Sequence, residues 1–316
     1  MHRIAVLDDY QSVAADYCDW SQVPGDKEVV EFHDHISDVD ALAARLEPFD
    51  MIVAMRERTE FRRNLLERLS NLKLLVTTGR RNKSIDVEAA TERGIVVSGT
   101  GILPNGTAEL TWGLILATAR HIPQEDASVR AGGWQETVGT DLSGARLGVV
   151  GLGGQGSQVA RIGLAFGMDV VAWSQNLTDE RAAEVGVRRV ERDELFATSD
   201  FVTIHLLLSK RTRGLITADD LALMMHTAVL INTSRGPIVE QQALLDALND
   251  GTIGGAGLDV FDEEPLPADH PLRTAPRTVL TPHLGYVTRN TYEVFYREAV
   301  EDVAAWIAGN PLRVLT

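Results

Sequence analysis

The stretch GVVGLGGQGSQVA (148–160) constrains the fold of this chain more than any other. It sets Gly151, Gly153 and Gly156 in the spacing G-x-G-x-x-G. The apolar run ARLGVV precedes it, and SQVARIGLAFG follows with Val159, Ile162 and Phe166 on one helical face. A buried strand, a glycine turn and an amphipathic helix in that order open a βαβ unit that binds a dinucleotide. Gly151 permits the tight turn, Gly153 lets the backbone approach a pyrophosphate, and Gly156 lets helix and strand pack closely. The helix N-terminus then presents N–H groups and the positive end of its dipole to the phosphates. Gly154 and Gln155, in the same turn, join the expected cofactor contacts.

The rest of the chain repeats this rhythm. RIAVLDD, EVVEF, DMIVAM and LKLLVTT read as buried strands, with VDALAARL and NLLERL as helices between them. A second series runs through ARLGVVG, DVVAW, FVTIHL, AVLINT, GAGLDVF and TVLTP. Alternation of this kind makes parallel sheets covered on both faces. A length of 316 residues suits two such sheets better than one. The predicted fold is α/β: two doubly wound parallel-sheet domains, the second a Rossmann dinucleotide-binding domain. Pro104, Asn105 and Gly106 mark the joint, and a long, mostly apolar helix starts near Thr107. A last helix is expected from about Thr288 to Ala308, with Phe295, Ala299, Val303 and Trp306 as its apolar stripe. If it returns to the first sheet, residues 1–104 and 287–316 form a discontinuous substrate-binding domain, and 105–286 form the dinucleotide-binding domain.

Composition narrows the partners. A formal charge of −15 argues against nucleic acid and anionic membranes. Cys18 is the single cysteine, which excludes an internal disulfide and suits a reducing cytoplasm. The N-terminal MHRIAVLDDY does not read as a signal peptide. No apolar run reaches the roughly 18 residues of a membrane span. No metal site is expected.

Three polar residues follow late strands: Arg235 in NTSRGPIVE, Glu264 in GLDVFDEEP and His283 in TVLTPHLGY. Ligands of open α/β sheets bind outside the carboxyl ends of the strands, so all three converge on one crevice. A guanidinium makes a two-pronged fork for a carboxylate. An imidazole gives or takes a proton near neutral pH, and a carboxylate beside it fixes its tautomer and favours its charged form. Together they suit hydride exchange at a carbon next to a carboxylate, coupled to proton transfer at its oxygen.

At this point the chain resembles the D-2-hydroxyacid dehydrogenases, nearly end to end. GTAELTWGLILA, GLGGQG, VTIHLLLSKRTRGLI, INTSRGPIV, GAGLDVFDEEPLP and TPHLGY carry the likeness. The resemblance implies that Arg235 binds the substrate carboxylate and carbonyl, that His283 is the acid/base and that Glu264 is its partner. It implies that Asp259 lies near the nicotinamide carboxamide and that Thr107, His205 and Thr233 contact the cofactor. The first domain is expected to supply a substrate loop containing Gly79 and Arg80, with Tyr286 also shaping the pocket, and the chain to form a homodimer. The expected partner is a small 2-keto or 2-hydroxy acid. Some relatives on this scaffold are instead NAD(H)-sensing corepressors; the acidic charge favours the enzyme. Arg81 stands where a second loop glycine is common in the family, and Leu207 where proline is common.

One further departure concerns DVVAWSQN (169–176). The strand DVVAW would normally be followed by an acid that grips the adenosine ribose. Here Ser174 holds that place, followed by Gln175 and Asn176. A serine does not repel a 2′-phosphate, so the chain is expected to accept both NAD and NADP.

Overall fold

Every apolar run named above becomes a strand, and every pairing between these strands is parallel. The structure is a computed structural model and describes residues 1–315. It contains two units: Met1–Leu103 together with the C-terminal stretch from Thr288, and Pro104–Val287.

In the first unit the strands are β1 (His2–Val6), β2 (Lys27–Glu31), β3 (Met51–Ala54), β4 (Leu74–Thr77) and β5 (Val96–Gly99), in the order β2-β1-β3-β4-β5. Chain order and sheet order part company at β1, the mark of a doubly wound sheet. β3 and β4 are wholly buried, as continuous apolar runs in a sheet covered on both faces should be. EVVEF departs from expectation: every residue of β2 is only partly buried, because β2 is an edge strand. NLLERL supplies only the single-turn helix Arg63–Leu66.

The C-terminal helix Arg289–Ile307 belongs to this unit. The Thr288 side chain caps it by accepting from the Thr291 N–H. Phe295, Ala299 and Val303 are fully buried, as are Tyr292 and Tyr296, which the apolar stripe did not include; Trp306 is only partly covered. Emptying the Phe295 site by Phe→Ala would cost about 3–5 kcal/mol.

The second unit continues with β6 (Arg146–Val150), β7 (Asp169–Trp173), β8 (Arg188–Arg189), β9 (Phe201–Ile204), β10 (Val229–Asn232), β11 (Gly255–Leu258) and β12 (Thr278–Leu280), in the order β12-β11-β10-β9-β6-β7-β8. The long helix Gly106–Ala119 buries Trp112, Leu114 and Ile115 against this sheet and its helices. The Trp112 indole N–H donates to the Val159 carbonyl at 3.3 Å. Phe166 corrects the sequence reading. It caps the helix Gly154–Ala165 rather than lying within it, is 40% exposed, and stacks on Trp112 with ring centroids 4.8 Å apart. Among the described residues no helix is long and apolar enough to cross a membrane.

Candidate active site

The order of the second sheet puts β6 between β7 and β9. The chain leaves β6 in one direction, returns, and proceeds in the other from β9. The carboxyl ends of β6 and β9 therefore flank a crevice at the switch point, where open sheets bind ligands. The glycine turn closes β6 there. Gly151 has φ +98°, and a Cβ on it would lie 2.6 Å from the His205 carbonyl oxygen, so only glycine fits. A Cβ at Gly156 would lie 2.0 Å from the Gly151 carbonyl oxygen. By contrast, a Cβ on Gly153 or Gly154 would meet nothing within 4 Å. That open space, over the N-terminus of the helix Gly154–Ala165, fits a pyrophosphate approached by bare backbone. Gln155 donates through its amide to the Pro104 carbonyl at 2.6 Å, while its own Oε1 is buried without a partner.

Around this turn stand the other expected cofactor residues. Ser174 follows β7 and is half-buried; Gln175 beside it is exposed. His205 follows β9, and its Nε2 lies 2.9 Å from the Thr203 hydroxyl. Burial pushes its imidazole down to about 4, so the ring is neutral at physiological pH. The Thr233 hydroxyl is 2.7 Å from that of Thr111, and the Thr107 hydroxyl donates to the Gly285 carbonyl at 3.2 Å. These hydroxyls brace the strand ends against the helix Gly106–Ala119.

The next strands bring the catalytic candidates together. After β12, His283 adopts φ +56°, a left-handed conformation uncommon outside glycine. Its Nδ1 is 2.6 Å from Glu264 Oε2, and Glu264 Oε1 accepts from the Phe261 N–H at 2.9 Å. Burial works against the Glu264 carboxylate. The hydrogen bond and charge of His283, the Phe261 N–H and the Arg235 guanidinium outweigh it and hold the carboxyl below its usual range. An ionised carboxylate can only accept, so Nδ1 carries the proton and Nε2 is the nitrogen left for substrate chemistry. The His283 and Tyr286 rings meet edge to face, with centroids 5.6 Å apart.

Arg235 sits on the turn after β10. Asn232 holds that turn by donating through its amide to the Arg235 carbonyl and accepting from the Ser234 N–H. The Arg235 guanidinium donates to the Ser234 carbonyl at 2.7 Å. Gly236, which the sequence reading passed over, lets this turn cross the Glu264 segment. A Cβ there would lie 2.1 Å from the Phe261 carbonyl carbon.

Asp259 has both carboxylate oxygens engaged by the segment that carries His283. Oδ1 accepts from the Thr281 hydroxyl and the Leu284 N–H, each at 2.7 Å, and Oδ2 accepts from the Gly285 N–H at 2.9 Å. Burial pushes this carboxyl up, against the pull of those donors and of His283. The strained His283 backbone is thus pinned from both sides.

Gly79 and Arg80 lie on the loop after β4 in the first unit. Gly79 is buried with φ +98°, and a Cβ on it would collide with the Arg56 guanidinium at 1.7 Å; Arg80 and Arg81 are exposed. No spacing in the sequence pairs Arg56 with Gly79, since they come from successive loops. Nor does any spacing announce the grouping of Asp9, Glu31 and His33, whose potential ligand atoms lie within 4.8 Å of one another. The Asp9 carboxylate is already occupied by the N–H groups of Val13 and Ala14.

Residues 112–285 match the family model described as the NAD-binding domain of D-isomer specific 2-hydroxyacid dehydrogenases. The glyoxylate reductase of Aeropyrum pernix is 41% identical over 256 residues, covering 78% of this chain and 76% of that protein. This chain belongs to the D-2-hydroxyacid dehydrogenase family. It is accordingly an oxidoreductase that moves a hydride between a nicotinamide cofactor and a 2-keto or 2-hydroxy acid. The D-3-phosphoglycerate dehydrogenase of Methanocaldococcus jannaschii is 38% identical over 274 residues, 85% of this chain but 52% of that protein. The chain thus spans about half the length of that longer relative. Among solved structures, a phosphoglycerate oxidoreductase from Vibrio cholerae superposes with a TM-score of 0.92 at 38% identity, covering 98% of this chain and 100% of that one.

Proposed function

We propose that the enzyme reduces a small 2-keto acid to the D-2-hydroxy acid, with Arg235, His283 and Glu264 as its working residues. The 2.6 Å bond between His283 and Glu264, beside the Arg235 turn, carries this reading. Arg235 holds the substrate carboxylate and polarises the adjacent carbonyl. His283 Nε2 gives a proton to the carbonyl oxygen in reduction and takes it back in oxidation. Glu264 keeps the ring oriented by accepting from Nδ1–H. The bound nicotinamide supplies or accepts the hydride. Thr107, Gly151, Gly153, Gly154, Gln155, Gly156, Ser174, Gln175, His205, Thr233 and Asp259 form the cofactor side of the site, Asp259 also pinning the catalytic loop.

The substrate-binding role falls to the first unit. Gly79 and Arg80 are the first unit's substrate-binding residues, and Tyr286, packed edge to face on His283, is the second unit's. The exposed guanidinium groups of Arg80 and Arg81 favour acids with a second anionic or polar group over pyruvate. NADP is accepted alongside NAD, since no carboxylate follows β7. The enzyme works as a cytoplasmic homodimer. Its pairing surface is the exposed apolar set Ile122, Val129, Trp134 and Val138, on and just after the helix Ile122–Arg130. The deciding experiment follows consumption of NADH and of NADPH against glyoxylate, hydroxypyruvate, pyruvate and larger 2-keto acids. No turnover with any acid and either cofactor would reject the reading.

A further inference from the structure

Gln155 is the second residue of the helix Gly154–Ala165 and lies inside the glycine motif. Its side-chain amide is held at one end only. Nε2 donates to the Pro104 carbonyl at 2.6 Å, whereas Oε1 is shut off from solvent with no hydrogen-bond partner. A buried acceptor without a donor is costly, so an orphan of this kind beside a binding crevice marks a place where the ligand brings the donor. The residue as a whole is only half-buried, and a small turn of the side chain brings Oε1 to a ligand in the crevice.

The sheet order tells which half of a dinucleotide that ligand group belongs to. From β6 the adenosine side lies towards β7, which Ser174 follows, and the chemistry lies towards β9, β10, β11 and β12. Gln155 reaches to the second side. Pro104, its partner, leads into the helix Gly106–Ala119. From that helix the Thr107 hydroxyl donates to the Gly285 carbonyl at 3.2 Å, on the segment that carries His283. The Thr111 hydroxyl is 2.7 Å from that of Thr233, just after β10.

The chemistry of an amide oxygen narrows the choice further, since it only accepts. A pyrophosphate over Gly153 and Gly154 carries no donor at neutral pH. The donors of a nicotinamide dinucleotide are the adenine amine, the hydroxyls of its two riboses and the carboxamide N–H groups. The adenine and its ribose belong on the β7 side, and the carboxamide lies at the far end of the nicotinamide. The hydroxyls next to the pyrophosphate on the catalytic side are those of the nicotinamide ribose. We propose that Gln155 Oε1 accepts a hydrogen bond from a hydroxyl of that ribose, with Pro104 holding the amide the right way round. This deepens the assignment of Gln155 to the cofactor side and does not rest on the roles given to Arg235, Glu264 and His283.

ADP-ribose and ADP are the probes. Both carry adenosine and a pyrophosphate, and only ADP-ribose adds a second ribose. Their affinities are measured by calorimetry with no 2-keto acid present, so turnover plays no part. Gln155→Leu nearly keeps the size of the side chain and removes the amide. It should weaken ADP-ribose binding about fivefold or more, the worth of one hydrogen bond, and leave ADP binding within about twofold. Retained ADP binding also shows that the glycine turn is intact in the variant. Equal weakening of both probes would mean that Gln155 acts only by shaping the turn, and undiminished ADP-ribose binding would mean that Oε1 meets no ribose; either result overturns the proposal. A wild-type protein that binds neither probe would overturn the placing of the pyrophosphate as well.

Discussion

His283 Nδ1 and Glu264 Oε2 are 2.6 Å apart, although 19 residues separate them in the chain and each stands on a different strand-end loop. The Glu264 carboxyl is held below its usual range, so it stays ionised at neutral and mildly acidic pH, and the pairing is lost only as pH falls through that lowered value. Glu264→Gln keeps the shape and removes the charge. The ring then loses the carboxylate that fixes its tautomer and orientation, and kcat/KM for reduction should fall about tenfold or more while substrate KM changes little. His283→Ala should be slower still, by about a hundredfold or more. Wild-type kcat/KM in Glu264→Gln would show that the pair plays no part in catalysis.

Arg235 is proposed as the carboxylate clamp. Arg235→Lys retains the positive charge and loses the planar fork. The loss of kcat/KM should be about tenfold to a thousandfold, concentrated in reactions of 2-keto acids. Wild-type kinetics in the lysine variant would remove Arg235 from the mechanism.

Stability should carry a pH signature of its own, from the first unit. Asp302, 0% exposed on the C-terminal helix, accepts from Arg313 Nε at 2.9 Å through Oδ1, while Oδ2 is buried without a partner. Burial pushes its carboxyl up to about 7, helped by Glu298 and Glu301 and opposed by Arg313. Between the ordinary Asp range and about 7, the folded state therefore binds more protons than the unfolded one. This contribution to stability is complete at low pH and is lost as pH rises through about 7. The amount is a few kcal/mol at most. Asp302→Asn should flatten the fall in denaturant-measured stability between mildly acidic and mildly alkaline pH. An unchanged slope in the variant would show that Asp302 does not titrate in that window.

What the sequence disclosed, and what it withheld, follows from the range of the interactions involved. The glycine turn was legible because a close phosphate approach and a tight βα turn demand glycine at set spacings, as the clashes at Gly151 and Gly156 attest. Buried strands such as β3 and β4 were legible because both their faces are covered. EVVEF differs in carrying two glutamates, and that charge suits the edge position that β2 takes. Gly236 and the Arg56–Gly79 contact depend on two loops crossing, and no spacing within either loop announces it. The same holds for Asp259. The family resemblance puts it near the nicotinamide, but no spacing announces that its oxygens accept from Thr281, Leu284 and Gly285, more than twenty residues away.

The apolar surface around Trp134 gives an independent test of assembly. Trp134 is 75% exposed and Val138 92% exposed, unusual for such side chains on a protein that stays alone in water. Trp134→Glu places a charge in that surface and should shift light-scattering mass from dimer towards monomer at micromolar concentration. A wild-type protein that is already monomeric there would reject the proposed homodimer surface.

The residue after β7 bears on cofactor choice. Ser174 is half-buried, and its carbonyl accepts from the Leu177 N–H at 3.0 Å, which folds the loop so that Gln175 and Asn176 are exposed. An acid at this position would accept from a ribose 2′-hydroxyl and repel a 2′-phosphate, and like charges in contact cost several kcal/mol. A serine hydroxyl does neither, and the exposed amides can donate to a phosphate. Arg181, the next cation along the chain, is engaged by Glu184 at 2.6 Å and so adds little attraction for a phosphate. Lys210 and Arg211, after β9, remain exposed. The loop is thus permissive towards NADP rather than built for it, and wild-type kcat/KM with NADPH should be at least comparable to that with NADH. Ser174→Asp should then favour NADH by about tenfold or more, a factor that needs only about 1.4 kcal/mol. Both cofactors are measured in both proteins with the best acid of the panel. A strong wild-type preference for NADH, unchanged by the new carboxylate, would move the determinant of cofactor choice away from Ser174.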